Sequence, residues 1–276
     1  MNRKANIRQV LLNAPYTLWA AIFVVVPLLF VAYYAFTDSG GNFTLENLSN
    51  LSRYANVFKK SLLYSVIATI ITLFIAYPFA YFMSKRSANV QRVQMMLVML
   101  PMWMNLLIRT YSWTLILERN GIINNFLELF GIEPLKLIGT PGAVILGMIY
   151  NYLPYMILPI YTVLSKIDVS ILEAAEDLGC NSFNKFRRVV LPLSISGVVS
   201  GIVMVFVPSV STFYISQKLG SESEWLIGDN IEYLIKSTTD GMNVAAALSL
   251  VLMIIILASM AIMNRFADSS DGGMIV

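Results

Sequence analysis

The sequence predicts an all-α, polytopic membrane protein with six transmembrane helices. Of its 276 residues 57% are hydrophobic and only 13% are charged, more apolar surface than a soluble domain of this length hides in a core. The apolar residues fall into long runs almost free of charge, and a run of about twenty is what a helix needs to cross about 30 Å of hydrocarbon. Polar segments carrying glycine, proline or charge separate the runs.

Span one is expected over 14–36, with Trp19, Tyr33 and Tyr34 toward its ends as interfacial anchors. A polar loop over 38–60, rich in Asn, Ser and Gly, leads to span two over 61–83, where Pro78 implies a kink. Span three, over 93–117, follows a short basic turn holding Lys85, Arg86 and Arg92. It carries Pro101, Trp103, Asn105, Arg109, Tyr111 and Trp113, a polar and aromatic load unlike that of a lipid-facing helix. The apolar stretch over 122–130 is too short to span and reads as an interfacial or re-entrant helix. Span four covers 141–164 with Pro154 and Pro159, span five 189–216 with Pro192 and Pro208, and span six 243–263. Between the last two, 217–242 is a polar, acidic loop with one helical patch near 226–235.

Six spans put both termini on one side of the membrane. Eleven lysines and arginines fall on that side, among them Arg3, Lys4, Arg8 and the basic residues between spans four and five, against seven on the other. The positive-inside rule therefore places both ends in the cytosol. Arg109 is the one ionisable residue well inside a span. It lies about two turns from the outer end, where a long side chain is expected to snorkel or pair. No Asp or Glu falls within any span; acidic groups gather instead at Glu222, Glu224, Asp229, Glu232 and Asp240. Those five read either as a cation-attracting mouth, as contacts to an external protein, or as solvated loop charges.

Composition also excludes chemistry. There is no histidine, so neither imidazole catalysis nor imidazole metal ligation is available. Cys180 is the only cysteine, which rules out an intrachain disulfide and leaves it as structural filler. A formal charge of +3 is too small to point to nucleic acid. No phosphate-cradling GxxxxGK[ST] occurs, so any ATP that drives this protein binds to another subunit. The first apolar run is longer than the core of a signal peptide, and no cleavable signal is expected.

The stretch 173–192 reads EAAEDLGCNSFNKFRRVVLP and is the longest strongly charged interruption in the second half. Before and within it, Ile167, Ile171, Ala175 and Leu178 recur at helical spacing, giving a short helix one apolar side. Asp168 is its expected N-cap and Gly179 its expected left-handed end. A second short helix begins near Asn181 or Ser182, with Phe183, Phe186 and Val190 on one face. Two short helices broken at a glycine make a docking knob. Ala174 and Ala175 admit a partner backbone closely, and Glu173 offers an acceptor to a basic group.

Glu173-Ala174-Ala175, Gly179, Val189 and Leu191-Pro192, at this spacing, resemble the EAA loop of ABC importer permeases, which usually have Ile at the place of Val189. The resemblance implies one ABC importer transmembrane domain of type I architecture over 1–276, with core spans over 14–264 and a cytosolic coupling loop over 166–192. Glu173, Ala174, Ala175, Gly179, Leu191 and Pro192 would then couple the chain to ATPase subunits. The implied partners are a second permease chain in a heterodimer, two ATPase subunits that bind the ATP, and an extracytoplasmic solute-binding protein, at a bacterial inner membrane. The chain itself would be no enzyme and hold no cofactor or metal, and no EAA repeat supplies the second half of a pore.

The stretches LPMWMNLLIRTYSW, YNYLPYMILPIY and VPSVSTFYISQKLG, with WLIGDNI after them, further resemble the B-subunit type of spermidine/putrescine permease. A polyamine substrate follows from that resemblance. Trp103, Asn105, Tyr111 and Trp113 are then candidates for the substrate pathway, because an aromatic face attracts an ammonium by about 0.5–2 kcal/mol without trapping it. Helix packing and interfacial anchoring account for such aromatics equally well. Other cargoes of the same class, such as ferric iron, a phosphonate or an opine, stay open at this point, as does an ion-coupled secondary carrier. Such carriers usually show midplane ionisable groups or internal repeats.

Overall fold

The structure is a computed structural model and describes residues 7–237 and 241–272, with side chains over 14–236 and 241–265. Arg3, Lys4 and Asp240, which enter the charge reading, lie outside the described residues, as does the Arg8 side chain. Among the described residues the one β pairing is an isolated bridge between Thr37 and Phe43. The helices are α1 (Ile7–Ala20), joined through a π turn to α2 (Val26–Ala35), α3 (Glu46–Ser49), α4 (Ala55–Ser84), α5 (Ala88–Trp103), α6 (Leu106–Leu117), α7 (Ile122–Glu128), α8 (Pro141–Leu164), α9 (Val169–Asp177), α10 (Ser182–Lys185), α11 (Leu191–Leu193), α12 (Ile195–Val210), α13 (Tyr214–Leu219), α14 (Ile227–Ser237) and α15 (Gly241–Gly272).

Four segments are long and apolar enough to cross a membrane unbroken: Ala14–Ala35, Glu46–Ser84, Pro141–Leu164 and Gly241–Arg265. Two bent pairs bring the number to six when each is counted as one span. Ala88–Trp103 meets Leu106–Glu128 at 91°, and Ser182–Leu193 meets Ile195–Val210 at 62°. The expectation of a straight span three is thus corrected. Pro101 lies in the last turn of α5 and Met104 is extended, with φ −78° and ψ 146°. The Asn105 side chain then caps α6, its Oδ1 accepting the Leu107 N–H at 2.7 Å. Span five is also corrected: it ends at Val210, and α13 is a separate helix after the break at 211–213. The loop expected over 38–60 is largely helical, since α3, a 3₁₀ turn and the start of α4 occupy 46–60. The segment 122–130 is helical over Ile122–Glu128, and α8 begins and ends as expected, with Thr140 as its N-cap.

The chain divides into two compact units, Met1–Ala55 with Asn230–Ile254, and Asn56–Asp229 with Ile255–Val276. In the first, Ala35, Ala246 and Ala247 form a small core. The carbonyls left unpaired at the end of α2 find two asparagine amides. Asn47 Nδ2 donates to Thr37 O at 2.8 Å and Ala35 O at 3.3 Å. Asn243 Nδ2 donates to Thr37 O at 2.6 Å and Tyr34 O at 3.1 Å.

The second unit holds the main core, built from α4, α8 and α12. Helix α4 buries Ser61, Ser65, Thr69 and Thr72. Each hydroxyl donates to the carbonyl four residues earlier, at 2.6–3.0 Å, so the polar groups are satisfied without water. Helices α8 and α12 approach through Gly197 and Gly201. A Cβ on Gly197 would fall 2.9 Å from Pro159 O, and one on Gly201 2.7 Å from Met156 Sδ. With no hydrophobic drive between helices in lipid, such small residues four apart let backbones pack closely. The N-terminal part of α4 is pinned to 221–229. Tyr64 and Lys60 both reach Glu224, Lys60 also reaches Ser223 O, and Ile227 N donates to Ser61 Oγ at 2.8 Å. Asp229 is buried, its Oδ2 accepting the Leu226 N–H at 2.6 Å. Glu224 and Asp229 therefore hold the loop together and are not free loop charges.

Candidate functional site

The segment between α8 and α12 is built by local rules. Asp168 caps α9, its Oδ1 accepting the Ser170 N–H at 3.0 Å. That hydrogen bond holds the Asp168 carboxyl below its usual range. The cap is thus present above the ordinary carboxylate range and is lost only as pH falls through the lowered value. Helix α9 ends on Gly179, at φ +80°. Gly179 N donates to Glu176 O at 2.8 Å and Cys180 N to Ala175 O at 3.0 Å, the paired bonds that close a helix on a left-handed residue. Asn181 then caps α10, its Oδ1 accepting the Asn184 N–H at 2.8 Å. Lys185 and Glu176 form an ion pair across the turn.

The apolar faces differ from the sequence expectation. Ala175 is buried, and Leu172, Ile167 and Phe186 pack against the main core. Ile171 is exposed and Leu178 is 85% exposed. Leu178 is the C-cap, past the last regular turn, so helical spacing no longer sets its direction. In the next segment Phe186 and Val190 turn inward while Phe183 is 68% exposed. The outward surface thus carries Glu173 and Ala174 with Ile171, Leu178 and Phe183, a carboxylate set among apolar side chains. Gly179 lies on the same exposed loop, and Leu191 and Pro192 form the short α11 before the bend.

Phe186–Val190 is a π turn. Pro192 has no N–H to give the carbonyl four residues earlier, at Arg188, and its ring crowds that carbonyl. A widened turn just before the proline is the expected response.

Of the pathway candidates, Trp103 is 76% exposed at the end of α5. It flanks a cleft of about 400 Å³ whose walls include Met95, Met96, Met99 and Tyr161. Asn105 is exposed but its Oδ1 is engaged in capping α6, and Tyr111 is exposed in the second turn of α6. Trp113 is half-buried, with its ring edge-on to Tyr150 at 5.3 Å.

Arg109 departs most from expectation. It does not snorkel: it is 6% exposed, and its Nε and Nη1 meet no hydrogen-bond acceptor. The 91° break places it in the first turn of α6, which packs against α8 and α13, instead of near the outer end of a straight helix. On α8, the Tyr152 hydroxyl donates to Pro208 O at 3.3 Å.

Known proteins share this architecture. A chain of a bacterial ABC transporter involved in the import of the acidic polysaccharide alginate superposes with a TM-score of 0.80, covering 95% of this chain and 96% of that one at 16% identity. The fold is that of the type I ABC importer transmembrane domain. The chain is 41% identical over 251 residues to the spermidine/putrescine transport system permease protein PotB of Haemophilus influenzae, covering 86% of this chain and 88% of that protein. It is 34% identical over 247 residues to the protein of the same name in Escherichia coli, covering 86% and 90%. The family model described as binding-protein-dependent transport system inner membrane component matches residues 51–274. With four-fifths of its length matched and its apolar helices arranged as above, the chain belongs to that family of inner-membrane transport components.

Proposed function

We propose that this chain is the transmembrane permease subunit of an ATP-driven importer of spermidine and putrescine. The observation that carries the cargo is the 41% identity, over most of both chains, to a permease named for those two polyamines. The whole chain acts as one transmembrane domain. It works beside a second permease, two ATPase subunits that bind the ATP, and an extracytoplasmic solute-binding protein. The exposed face of α9 around Glu173 and Ala174, with Gly179 holding the turn, docks the ATPase. Closure of the ATPase dimer moves this loop, and the helices switch between inward- and outward-facing states as coupled rigid bodies. Trp103, with Asn105 and Tyr111 near the break, borders the route of the cation; Trp113 supports it from behind.

Removal of this chain from its native cells should abolish high-affinity uptake of radiolabelled spermidine and putrescine, and its return should restore both. Normal polyamine uptake with loss of ferric iron, phosphonate or opine uptake would reassign the cargo. In orientation, both termini and the 166–192 loop face the cytosol and Glu222 faces outward. A membrane-impermeant maleimide on intact cells should label Glu222→Cys and spare Cys180; the opposite pattern would invert the topology.

A further inference from the structure

We propose that the hydrogen bond between Tyr77 and Ser194, with Phe186 wedged against Tyr77 and Tyr81, is the linkage that carries movement of the docking loop into α4 and α12. Tyr77 is then a positioning residue of the transport step. This rests on the reading of the loop as the ATPase dock.

Ser194 is wholly buried at the 62° bend where α11 gives way to α12. Its hydroxyl lies 2.7 Å from the Tyr77 hydroxyl and donates to Leu191 O at 3.0 Å. One arrangement satisfies all three groups: Tyr77 donates to Ser194, and Ser194 donates to Leu191. The backbone N–H of Ser194 bonds Val190 O and Leu191 O, so this residue gathers the loose carbonyls of the bend. Phe186, at the start of the π turn, meets Tyr77 edge-on at 5.8 Å and Tyr81 at 5.4 Å. Two successive turns of α4 thus grip the segment that leads from α10 into α12.

The grip falls where α4 is weakest. Pro78, between the two tyrosines, leaves the carbonyl of Phe74 without its helical partner and is a preferred site of bending. On the other side, the π turn and the bend at Ser194 are also departures from regular helix. Three irregular points joined by one buried bond and two ring contacts form a joint, not a packed seam. Displacement of α9 and α10 would pull on Phe186 and Ser194 together, and so act on α4 at its proline.

The test uses the complex purified through a tag on this chain from its native cells and reconstituted in liposomes, with radiolabelled spermidine as probe. Tyr77→Phe keeps the ring against Phe186 and removes only the hydroxyl. Spermidine moved per ATP hydrolysed should fall about five-fold, the scale of one buried hydrogen bond, with ATP hydrolysis itself little changed. Ser194→Ala should do the same, and the double variant should be no worse than either, because both act through one bond. A role confined to folding would lower the amount of intact complex and leave the ratio alone. Hydrogen exchange supplies a readout independent of cargo: with ATP and vanadate, protection should change in both 166–193 and 72–84 in the wild type, but in 166–193 alone in Tyr77→Phe. An unchanged ratio in Tyr77→Phe, losses that multiply in the double variant, or coupled exchange persisting without the hydroxyl would overturn the proposal. Wild-type vesicles that move no spermidine would refute the cargo reading instead, and the exchange experiment would still decide the joint.

Discussion

Glu173→Lys is expected to leave the chain inserted and assembled while cutting ATP-driven uptake at least ten-fold. The Glu173 side chain is exposed on α9 beside Ala174, and among the described residues it has no ion pair of its own. Its carboxylate is therefore available to a basic group on a docking partner. A lysine there would place like charges together at an interface, which costs several kcal/mol, and each 1.4 kcal/mol is ten-fold. Gly179→Val should act in the same direction by another cause. Nothing lies within 4 Å of a Cβ built at Gly179, so there is no clash. The left-handed φ of +80° remains, and it costs a residue with a side chain about 1–2 kcal/mol, more when β-branched. Relief of that strain unwinds the turn and parts Lys185 from Glu176. Gly179→Ala should be milder. Normal uptake and normal transporter-stimulated ATP hydrolysis in both Glu173→Lys and Gly179→Val would remove the docking assignment.

The second large effect concerns the cation. An unpaired charge in the bilayer core costs at least several kcal/mol, so a polyamine must exchange water for something negative or aromatic. The apolar span bounds read from the sequence contain no Asp or Glu, but the chain presents Trp103 at the break between α5 and α6, 76% exposed. Trp103→Ala should weaken spermidine uptake about two- to thirty-fold, the range of one cation–π contact of about 0.5–2 kcal/mol, with assembly unchanged. Trp103→Phe should lose less, because it keeps a smaller ring. Equal uptake in wild type and Trp103→Ala would return the residue to the role of an anchor. In the proposed assembly, the same reasoning predicts an acidic residue in the spans of the second permease, facing Trp103. A partner permease with no acidic residue in its spans would sink that shared site and turn attention to another cargo.

Much of this protein is written in short-range signals. Thr140 followed by Pro141 fixes the start of α8, and Asp168, Gly179 and Asn181 fix the caps and turn of the 166–192 loop, because each acts on backbone groups within four residues. Pro101 and Asn105 also announced the break in span three, but a long apolar run outweighed them. The close packing at Gly197 and Gly201 came only from the structure, which sets them against Pro159 and Met156.

Apolar stretches long enough for helical spans, the charge distribution and a short helical loop closed by a glycine turn can all be read from the chain alone, since hydropathy, capping and turn signals are local properties. Tertiary structure decided which side of α9 faces inward, the burial of Arg109 and the junction of Tyr77 with Ser194, 117 residues apart. Those outcomes depend on where other helices lie. In a membrane every side of an apolar helix is at home in lipid, so hydrophobic pattern alone gives no inward direction; only close packing and the demands of buried polar groups supply one.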